Sequence, residues 1–403
     1  MKNSRIKHLF PYVYGLFILA QFMIGQIYIP GLPINILQIS TLLTLSFCFV
    51  IEHKIPNDKY MIMYFVFLFF YFISAGLTGY PDRLIHILTS QLPISITIYW
   101  ATKILIQKYN TLLPIAIPAI IAGVIDSIIT ISQAIGNPIL SPIIVMLMQN
   151  TEATDLVIQD GVLGISICGL FANPVFNGHA LLFCFVSSLF AVQGRYKLPC
   201  LICSTIILTG LFFCQQRSAF YLSIFTLVFI GWKIMHNNSK TRIKVILSLL
   251  FILLYILPYI ESYALETNSR IIDTNMTGRD TIWKYASDFI QNNLLLGGYD
   301  LFVQQTGKYP HNIFFSAFLA GGLIGGFILL LMISNLFIGA LKSLRYYNNT
   351  NTSLLVSTCL VITLIGDSFS HNTGWVEIDF ASFLATSLCL YYNEKNPQKR
   401  FII

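Results

Sequence analysis

The chain has 403 residues, of which 56% are hydrophobic and only 10% are charged, and its formal net charge is +7. Soluble proteins carry about a quarter charged residues, so this composition excludes an ordinary soluble domain, and the net charge does not indicate nucleic-acid binding. Apolar runs of about 18 or more residues recur between short polar breaks, which is typical of transmembrane helices. We therefore expect an all-α polytopic membrane protein in which residues 1–403 form a single integral membrane domain.

Twelve apolar segments, 15 to 27 residues long, are predicted as transmembrane helices. In chain order they are Phe10–Ile29, Leu32–Ile51, Tyr60–Gly79, Leu84–Ile104, Leu112–Ile131, Gly178–Val192, Leu198–Cys214, Ser218–Ile234, Val245–Ile260, His311–Phe337, Ser353–Asp367 and Val376–Tyr392.

Positive charge is distributed unevenly among the breaks between these segments. Placing the N-terminus in the cytoplasm puts 18 of the 24 Lys and Arg residues on the cytoplasmic side, in keeping with the positive-inside rule. We therefore predict twelve spans with both termini cytoplasmic. The basic residues left on the outer side are Arg83, Arg217, Arg270, Arg279, Lys284 and Lys308.

Two outer connections are long. Residues 132–177 contain the apolar pieces Ile139–Met148 and Val162–Ala172, which are too short to cross a bilayer. Because unpaired backbone groups are costly in lipid, we expect these pieces to be interfacial or re-entrant and packed against protein. Residues 261–310 form the second, main outer loop, which is more polar.

The main loop contains the signature of an amphipathic helix. Thr277-x-x-Asp280 resembles a capping box that opens a helix. A helix lying on the outer membrane face is therefore predicted. Its apolar side chains recur at helical spacing on one face, and they are Ile282, Ala286, Phe289 and Ile290.

Ionisable groups at membrane depth are costly and are functional hypotheses by default. Arg217 follows Gln215-Gln216 between two apolar runs, so it is either an interfacial arginine that reaches lipid headgroups or an anion ligand. Arg279 at the start of the loop helix is either a solvated charge or a phosphate ligand, since arginine presents a rigid fork to phosphate oxygens. Two such arginines on one face of the membrane could hold a diphosphate.

His311 follows Pro310, a residue suited to the first turn of a helix. A helix that begins there directs free N–H groups and its positive dipole end outwards, which favours an anion and disfavours imidazolium. A neutral imidazole can accept a proton or donate a hydrogen bond. The alternative is a polar interfacial histidine beside Tyr309.

Several other polar residues leave two interpretations open. Asp126, inside the fifth apolar run, is either a proton-relay carboxylate of a transporter or a hydrogen-bonded structural group. His179 lies at an outer helix start, whereas Asp367 and His371 lie near the outer end of the eleventh span. Each of these three is either an interface residue or a site residue.

Glycines in the tenth span form overlapping small-xxx-small pairs that allow a neighbouring helix to approach closely. They are Gly321, Gly322, Gly325 and Gly326. The chain has no Walker loop and no DxD motif, so we expect an outward-facing reaction driven by an activated substrate in the membrane, without ATP or metal.

Residues from about 170 to 330 resemble the O-antigen polymerase and O-antigen ligase superfamily of bacterial inner-membrane proteins. One departure is Ile313-Phe314-Phe315, where the family has leucines. The motifs that carry the resemblance are Asn173-Pro174-x-x-Asn177, Gln215-Gln216-Arg217-Ser218, Arg279-x-x-x-Trp283, the segment Asn293–Gly297, Pro310-His311-Asn312 and the glycine-rich span through Gly326.

The resemblance implies a GT-C-like membrane glycosyltransferase that uses undecaprenyl-diphosphate-linked oligosaccharides on the periplasmic face of the inner membrane. It implies that Arg217 and Arg279 hold the diphosphate and that His311 acts at the acceptor or the leaving group. We expect no cofactor or metal, and a chain-length regulator protein as a possible partner alongside membrane lipid. The residues expected to bind substrate are Gln216, Asn312, His179 and Arg270.

The length of the main loop, about 50 residues, and the richness in Phe, Tyr, Ile and Asn favour a polymerase over a ligase that transfers the glycan to lipid A-core. A lipid-linked oligosaccharide flippase or transporter is a further alternative, since twelve spans also suit a carrier. The long connections lie outside, after the fifth and ninth spans, and no two halves are detectable. These features favour the enzyme.

Overall fold

The computed structural model describes residues 2–24, 34–135, 167, 169–171, 174–191, 197–234, 279–344, 352–369 and 380–394. Within these ranges the chain consists of helices joined by turns, so the predicted helical class is confirmed. Some segments and residues for which the sequence makes predictions lie outside the described residues. They are Ile139–Met148, most of Val162–Ala172, Val245–Ile260, Arg270, Thr277 and His371.

Thirteen helices are described, and all except α9 and α10 overlap a predicted span. They are α1 (Lys2–Leu19), α2 (Ile36–Glu52), α3 (Lys59–Leu77), α4 (Pro81–Tyr109), α5 (Leu113–Ala134), α6 (Pro174–Ala191), α7 (Lys197–Phe213), α8 (Arg217–Ile234), α9 (Arg279–Asn292), α10 (Tyr299–Thr306), α11 (Ile313–Ser343), α12 (Thr352–Ser368) and α13 (Phe380–Glu394).

Within the part of the chain that the structure describes, α3, α4, α5 and α11 are long and apolar enough to cross a membrane. Helices α2, α6, α7, α8 and α12 contain shorter apolar segments. Helix α4 is continuous but includes two π-helical turns, Ile87–Gln91 and Leu105–Tyr109. The count of twelve spans and the cytoplasmic termini stay predictions.

The two ends of the helix bundle differ in their polar contacts. At the end where α2 stops and α3 starts, Lys103 Nζ lies 3.0 Å from Asp58 Oδ2 and Lys108 Nζ lies 3.6 Å from Glu52 Oε1. The Trp100 indole N–H donates to Glu52 Oε2 at 2.8 Å. These pairs tie α4 to the α2–α3 connection. The candidate site lies at the other end of α3.

Helix α11 packs closely along α3 through its glycines. A Cβ added at Gly321 would lie 3.3 Å from the Phe67 ring, and one added at Gly325 would lie 2.8 Å from Phe70 Cβ. Only glycine leaves room for these aromatic side chains, so the predicted close helix approach is confirmed at Gly321 and Gly325.

Helix α11 is broken at Gly322, which the glycine pattern did not predict. Gly322 has φ 59° and ψ −161°, a conformation that is open to glycine only. The backbone of the segment 294–298, which follows α9, lies against the break. Gly298 N–H donates to the Leu319 carbonyl at 2.6 Å, and Leu323 N–H donates to the Leu294 carbonyl at 2.7 Å. The loop therefore supplies hydrogen-bond partners that the interrupted helix lacks.

The next loop helix, α10, is fastened to the turn between α3 and α4. The Arg83 guanidinium donates two hydrogen bonds to Asp300 Oδ1, from Nη2 at 2.8 Å and from Nε at 3.0 Å. The Tyr80 hydroxyl donates to Gln304 Oε1. A fork-like arginine–carboxylate pair fixes orientation as well as distance, so the loop is anchored both to α11 and to α4.

We predict that Gly322→Ala destabilises the protein. A Cβ at this position would lie 2.2 Å from the Leu295 carbonyl oxygen, and a non-glycine residue in this conformation costs about 1–3 kcal/mol before any clash. Thermal unfolding of the detergent-solubilised protein should show a Tm several degrees lower. The control is Gly76→Ala in α3, where the new Cβ would meet only Leu84 Cδ1 at 3.9 Å. Equal Tm values for the two variants would contradict the role given to the break.

Candidate active site

Most of the predicted site residues converge at one end of the bundle, which we call the site end. It is formed by the N-terminal parts of α6, α8 and α11 and the last turn of α12, with α9 alongside α11. These parts carry His179, Arg217 and Asp367, while Asn312 directly precedes α11 and Arg279 begins α9. Residues that are distant in sequence are thus brought together.

The turn before α8 positions Gln216 and Arg217. Gln215 adopts a left-handed φ of 57°, and the Gln216 carbonyl accepts from Phe220 N–H at 3.0 Å, so that α8 begins at Arg217. Helix α6 touches this turn, because a Cβ at Gly178 would lie 2.6 Å from Gln216 Cβ. The glycine before His179 therefore allows the starts of α6 and α8 to meet.

Arg217 and Arg279 are both half-buried, and their charges act on one another. Burial lowers the pKa of the Arg279 guanidinium and the positive charge of Arg217 lowers it further, whereas the Asp367 carboxylate raises it. Among the described residues, no carboxylate lies within ion-pair distance of either guanidinium. The site end thus concentrates two positive charges near one carboxylate, which favours binding of an anion.

That carboxylate is hydrogen-bonded to His179. The Asp367 Oδ2 to His179 Nδ1 distance is 2.8 Å, and the exposed fractions of the two side chains are 1% and 9%. Sequence reasoning noted both residues near outer helix ends but did not pair them. The available signal was the cost of placing a carboxylate at the end of an apolar helix without a partner.

Asn312 joins α11 to α12. Its Oδ1 accepts from Phe314 N–H at 2.9 Å, which makes it the N-cap of α11, and its Nδ2 donates to the Phe369 carbonyl at 3.1 Å. Helix α11 therefore begins at Ile313, two residues later than predicted. The reason is that asparagine caps helices well, whereas His311 has a left-handed φ of 49°.

A tryptophan of α9 is hydrogen-bonded to the residue that precedes His311. The Trp283 indole N–H donates to the Pro310 carbonyl at 2.9 Å, and its ring centroid lies 6.2 Å from that of Phe315. Of the four residues predicted on the apolar face of α9, Ile282 and Ala286 are buried and Phe289 and Ile290 are partly buried against the core. The position of this helix on the outer membrane face stays a prediction. The His311 ring lies edge-on to Tyr309, with centroids 6.4 Å apart.

Asp126 makes a structural contact to the segment at residues 169–170. Its Oδ1 accepts from Leu170 N–H at 2.8 Å, and Gln133 on the same helix both accepts from Gly169 N–H at 2.9 Å and donates to its carbonyl at 3.3 Å. Asn177 donates to Thr130 at 3.1 Å. The bonds from Asp126 and Gln133 hold the turn at residues 169–170 against α5. This contact favours the structural interpretation of Asp126 over a proton relay.

The arrangement can bind a phosphate-rich group through guanidinium forks and can accept or donate a proton through imidazole. Within the described ranges there is no group of three His, Cys, Asp or Glu side chains that could hold a metal ion. The roles predicted for Arg217, Arg279, His311, Gln216, Asn312 and His179 stay predictions at this point. Arg270, the other expected substrate-binding residue, lies outside the described residues.

We predict that Asn312→Asp lowers stability although it preserves the N-cap. Aspartate still accepts from Phe314 N–H, but it cannot donate to the Phe369 carbonyl, and two oxygens then face each other in a buried position. The expected cost is about 1–3 kcal/mol, measured as a lower Tm. Asn292→Asp is the matched control, because Asn292 is an exposed residue of α9, outside the predicted spans. A variant at position 312 as stable as that control would contradict the bridging role.

Comparison with known proteins identifies one segment of the chain. Residues 202–330 match the model of a protein family described as O-Antigen ligase. The matched segment contains Arg217, Arg279 and His311, whereas His179 and Asp367 lie outside it. Searches of the curated proteins and of the solved structures gave no match. The predicted resemblance to the O-antigen polymerase and ligase superfamily is thus confirmed. The segment that confirms it contains both Arg217 and Arg279.

Proposed function

We propose that this protein is an O-antigen polymerase of the bacterial inner membrane, which joins undecaprenyl-diphosphate-linked oligosaccharide repeat units on the periplasmic face. The observation that carries the proposal is the electrostatic interaction of two half-buried arginines, Arg217 and Arg279, which both lie within the segment that matches the family. Arginine pairs recognise the oxygens of a diphosphate by charge and by geometry. A lipid-linked sugar supplies this group together with the energy for the reaction.

In the proposed reaction a sugar hydroxyl of one lipid-linked repeat unit attacks the anomeric carbon of the glycan chain held by another. A carbon–oxygen bond to the acceptor forms, the bond to the diphosphate breaks, and undecaprenyl diphosphate leaves with the electron pair. Arg217 and Arg279 stabilise the negative charge that develops on the leaving group. Because both are positioned before the reaction, little reorganisation is needed when that charge appears.

His311 acts at the acceptor or at the leaving group. Its backbone is held by the Trp283 bond to Pro310, and it directly precedes Asn312, the N-cap of α11. The start of a helix favours an anion. Gln216 and Asn312 line the same end of the bundle and are assigned to substrate binding.

Orientation supports the periplasmic placement. With the N-terminus in the cytoplasm, 18 of 24 basic residues fall on the cytoplasmic side, and the site end then faces outwards. The basic pairs of Lys103 and Lys108 lie at the opposite end of α4 from Arg83. Membrane lipid surrounds the exposed apolar faces, and a chain-length regulator is the expected protein partner.

An O-antigen ligase, which transfers the finished glycan to lipid A-core, is the second candidate. The description of the matching family favours it, whereas the size of the main loop and the composition favour the polymerase. Both reactions use the same donor and the same leaving group, so the arginine pair serves either.

We predict that Arg217→Ala, Arg279→Ala and His311→Ala each abolish long surface polysaccharide in cells that contain normal amounts of the variant in the membrane. Removing one donor that stabilises a developing charge lowers a rate by about 10²–10³-fold. Lys308→Ala is the control, because Lys308 is an exposed cation three residues before His311. Full-length glycan from all three variants would refute the assignment.

The glycan profile of a deletion strain distinguishes the two candidates. A polymerase predicts that long chains disappear while a single repeat unit remains attached to the lipid core. A ligase predicts that no repeats are attached and that long chains accumulate on the carrier lipid. The second profile would replace the polymerase by the ligase.

A further inference from the structure

We propose that a turn of the main loop, the leucine turn Leu294–Leu296, enters the bilayer beside the site end and contacts lipid acyl chains. The leucine turn lies between α9 and α10. The sequence predicts a polar outer loop with a helix that rests on the membrane face, whereas the contacts of the leucine turn place it deeper. This contact with lipid does not depend on which glycan reaction the protein catalyses.

The side chains of the leucine turn are exposed on the surface of the protein itself. The exposed fractions are 43% for Leu294, 74% for Leu295 and 48% for Leu296. Adjacent exposed leucines form an apolar patch, and such patches mark surfaces that contact a partner or a membrane. The position of the turn relative to the membrane-spanning helices decides which of these covers it.

The leucine turn continues the apolar surface of α11. Leu323 N–H donates to the Leu294 carbonyl at 2.7 Å, so the turn and the helix lie side by side at this point. Helix α11 is long and apolar enough to cross a membrane, and its exposed apolar residues near this contact then face lipid. They are Leu323, Ile324 and Phe327. Lipid that covers these residues reaches the leucine turn as well.

Helix α3 provides a measure of depth in the bilayer. It runs from Lys59, beside the ion pair of Lys103 and Asp58, to Leu77. Its 19 residues rise about 28 Å, which is close to the thickness of a hydrocarbon core, about 30 Å. The two ends of α3 therefore mark the two boundaries of the core.

By this measure the leucine turn lies inside the core. Gly325 packs against Phe70, about 16 Å along α3 from its first residue. Met332 and Tyr64 border the same small cavity nearer that first residue, so α11 runs antiparallel to α3. Gly322 then lies about 4–5 Å further out than Gly325. Gly322 and the leucine turn beside it are thus about 9 Å below the outer boundary of the core.

Helix α11 gives a second measure. Lys342 is the basic residue in its last turn, and a charged side chain there marks the opposite boundary of the core. Gly322 lies twenty positions before Lys342, a rise of about 30 Å. This measure places the leucine turn at the outer boundary itself. Under both measures, leucine side chains that point away from α11 reach the acyl chains.

The backbone of the leucine turn suits this depth because it is hydrogen-bonded to the protein. Irregular backbone is tolerated in the hydrocarbon core only where it packs against protein. Gly297 N–H donates to the Asn293 carbonyl at 2.8 Å, and Gly298 N–H donates to the Leu319 carbonyl of α11 at 2.6 Å. The turn therefore directs backbone groups towards α11 and its leucine side chains away from it.

Polar residues on both sides of the leucine turn limit how much of the loop enters the bilayer. Asp288 and Gln291 are exposed on α9, and Gln304 and Gln305 are exposed on α10. Such side chains favour water over hydrocarbon. The leucine turn is therefore inserted as a short wedge, while the exposed sides of α9 and α10 stay hydrated.

The test is electron paramagnetic resonance of the full-length protein in lipid nanodiscs, with a nitroxide label on Leu295→Cys. Molecular oxygen concentrates in the hydrocarbon core, whereas a polar nickel chelate stays in water. The ratio of oxygen collisions to chelate collisions should be several times higher for this label than for one on Gln305→Cys, the matched control at an exposed position of the same loop. Wild-type protein treated in the same way gives the background from its own cysteines.

Two results would overturn the lipid contact. Equal accessibility of the two labels to the chelate would place the leucine turn in water. Low accessibility of the Leu295→Cys label to both oxygen and chelate would mean that protein covers the turn, either this chain or a second copy. Both native side chains are exposed, so both variants should keep the wild-type Tm, and neither result requires glycan transfer.

Discussion

The site depends on the electrostatic interaction of two half-buried arginines, Arg217 and Arg279. Burial and the charge of Arg217 both oppose ionisation of Arg279, and the Asp367 carboxylate opposes them only in part. An arginine guanidinium stays protonated in proteins. The site end therefore carries a net positive charge that an anionic ligand relieves, and this unbalanced charge is the physical basis of the proposed donor site.

The scaffold supports that site from several directions. The segment 294–298 pairs with α11 at the Gly322 break, and Arg83 grips Asp300. Trp283 fixes the carbonyl of Pro310. The first two contacts join the main loop to α11 and to α4, and the third joins two parts of the loop to each other. A loop held in place in this way suits a preorganised charge-stabilising site.

Local sequence patterns predicted the helices and the arginines well. Apolar run lengths located eleven of the described helices, and the spacing from Ile282 to Ala286 located the buried face of α9. The arginines could be found because charge is rare and costly beside apolar spans. In each case the signal lies within a short stretch of chain.

Contacts between distant residues could not be predicted in this way. His179 and Asp367 are 188 positions apart, and Arg83 and Asp300 are 217 apart. Their pairing depends on how the helices pack, which a single sequence does not encode locally. The Gly322 break could not be predicted for the same reason. Four glycines at this spacing are compatible with a straight helix, and the break depends on the segment 294–298 that packs beside Gly322.

The most direct test of this account is a cryo-EM structure of the full-length protein in lipid nanodiscs with undecaprenyl diphosphate bound. The account predicts density for the diphosphate between Arg217 and Arg279, with phosphate oxygens about 2.7–2.9 Å from nitrogen atoms of both guanidinium groups. A diphosphate bound elsewhere, or in contact with neither arginine, would contradict the central claim.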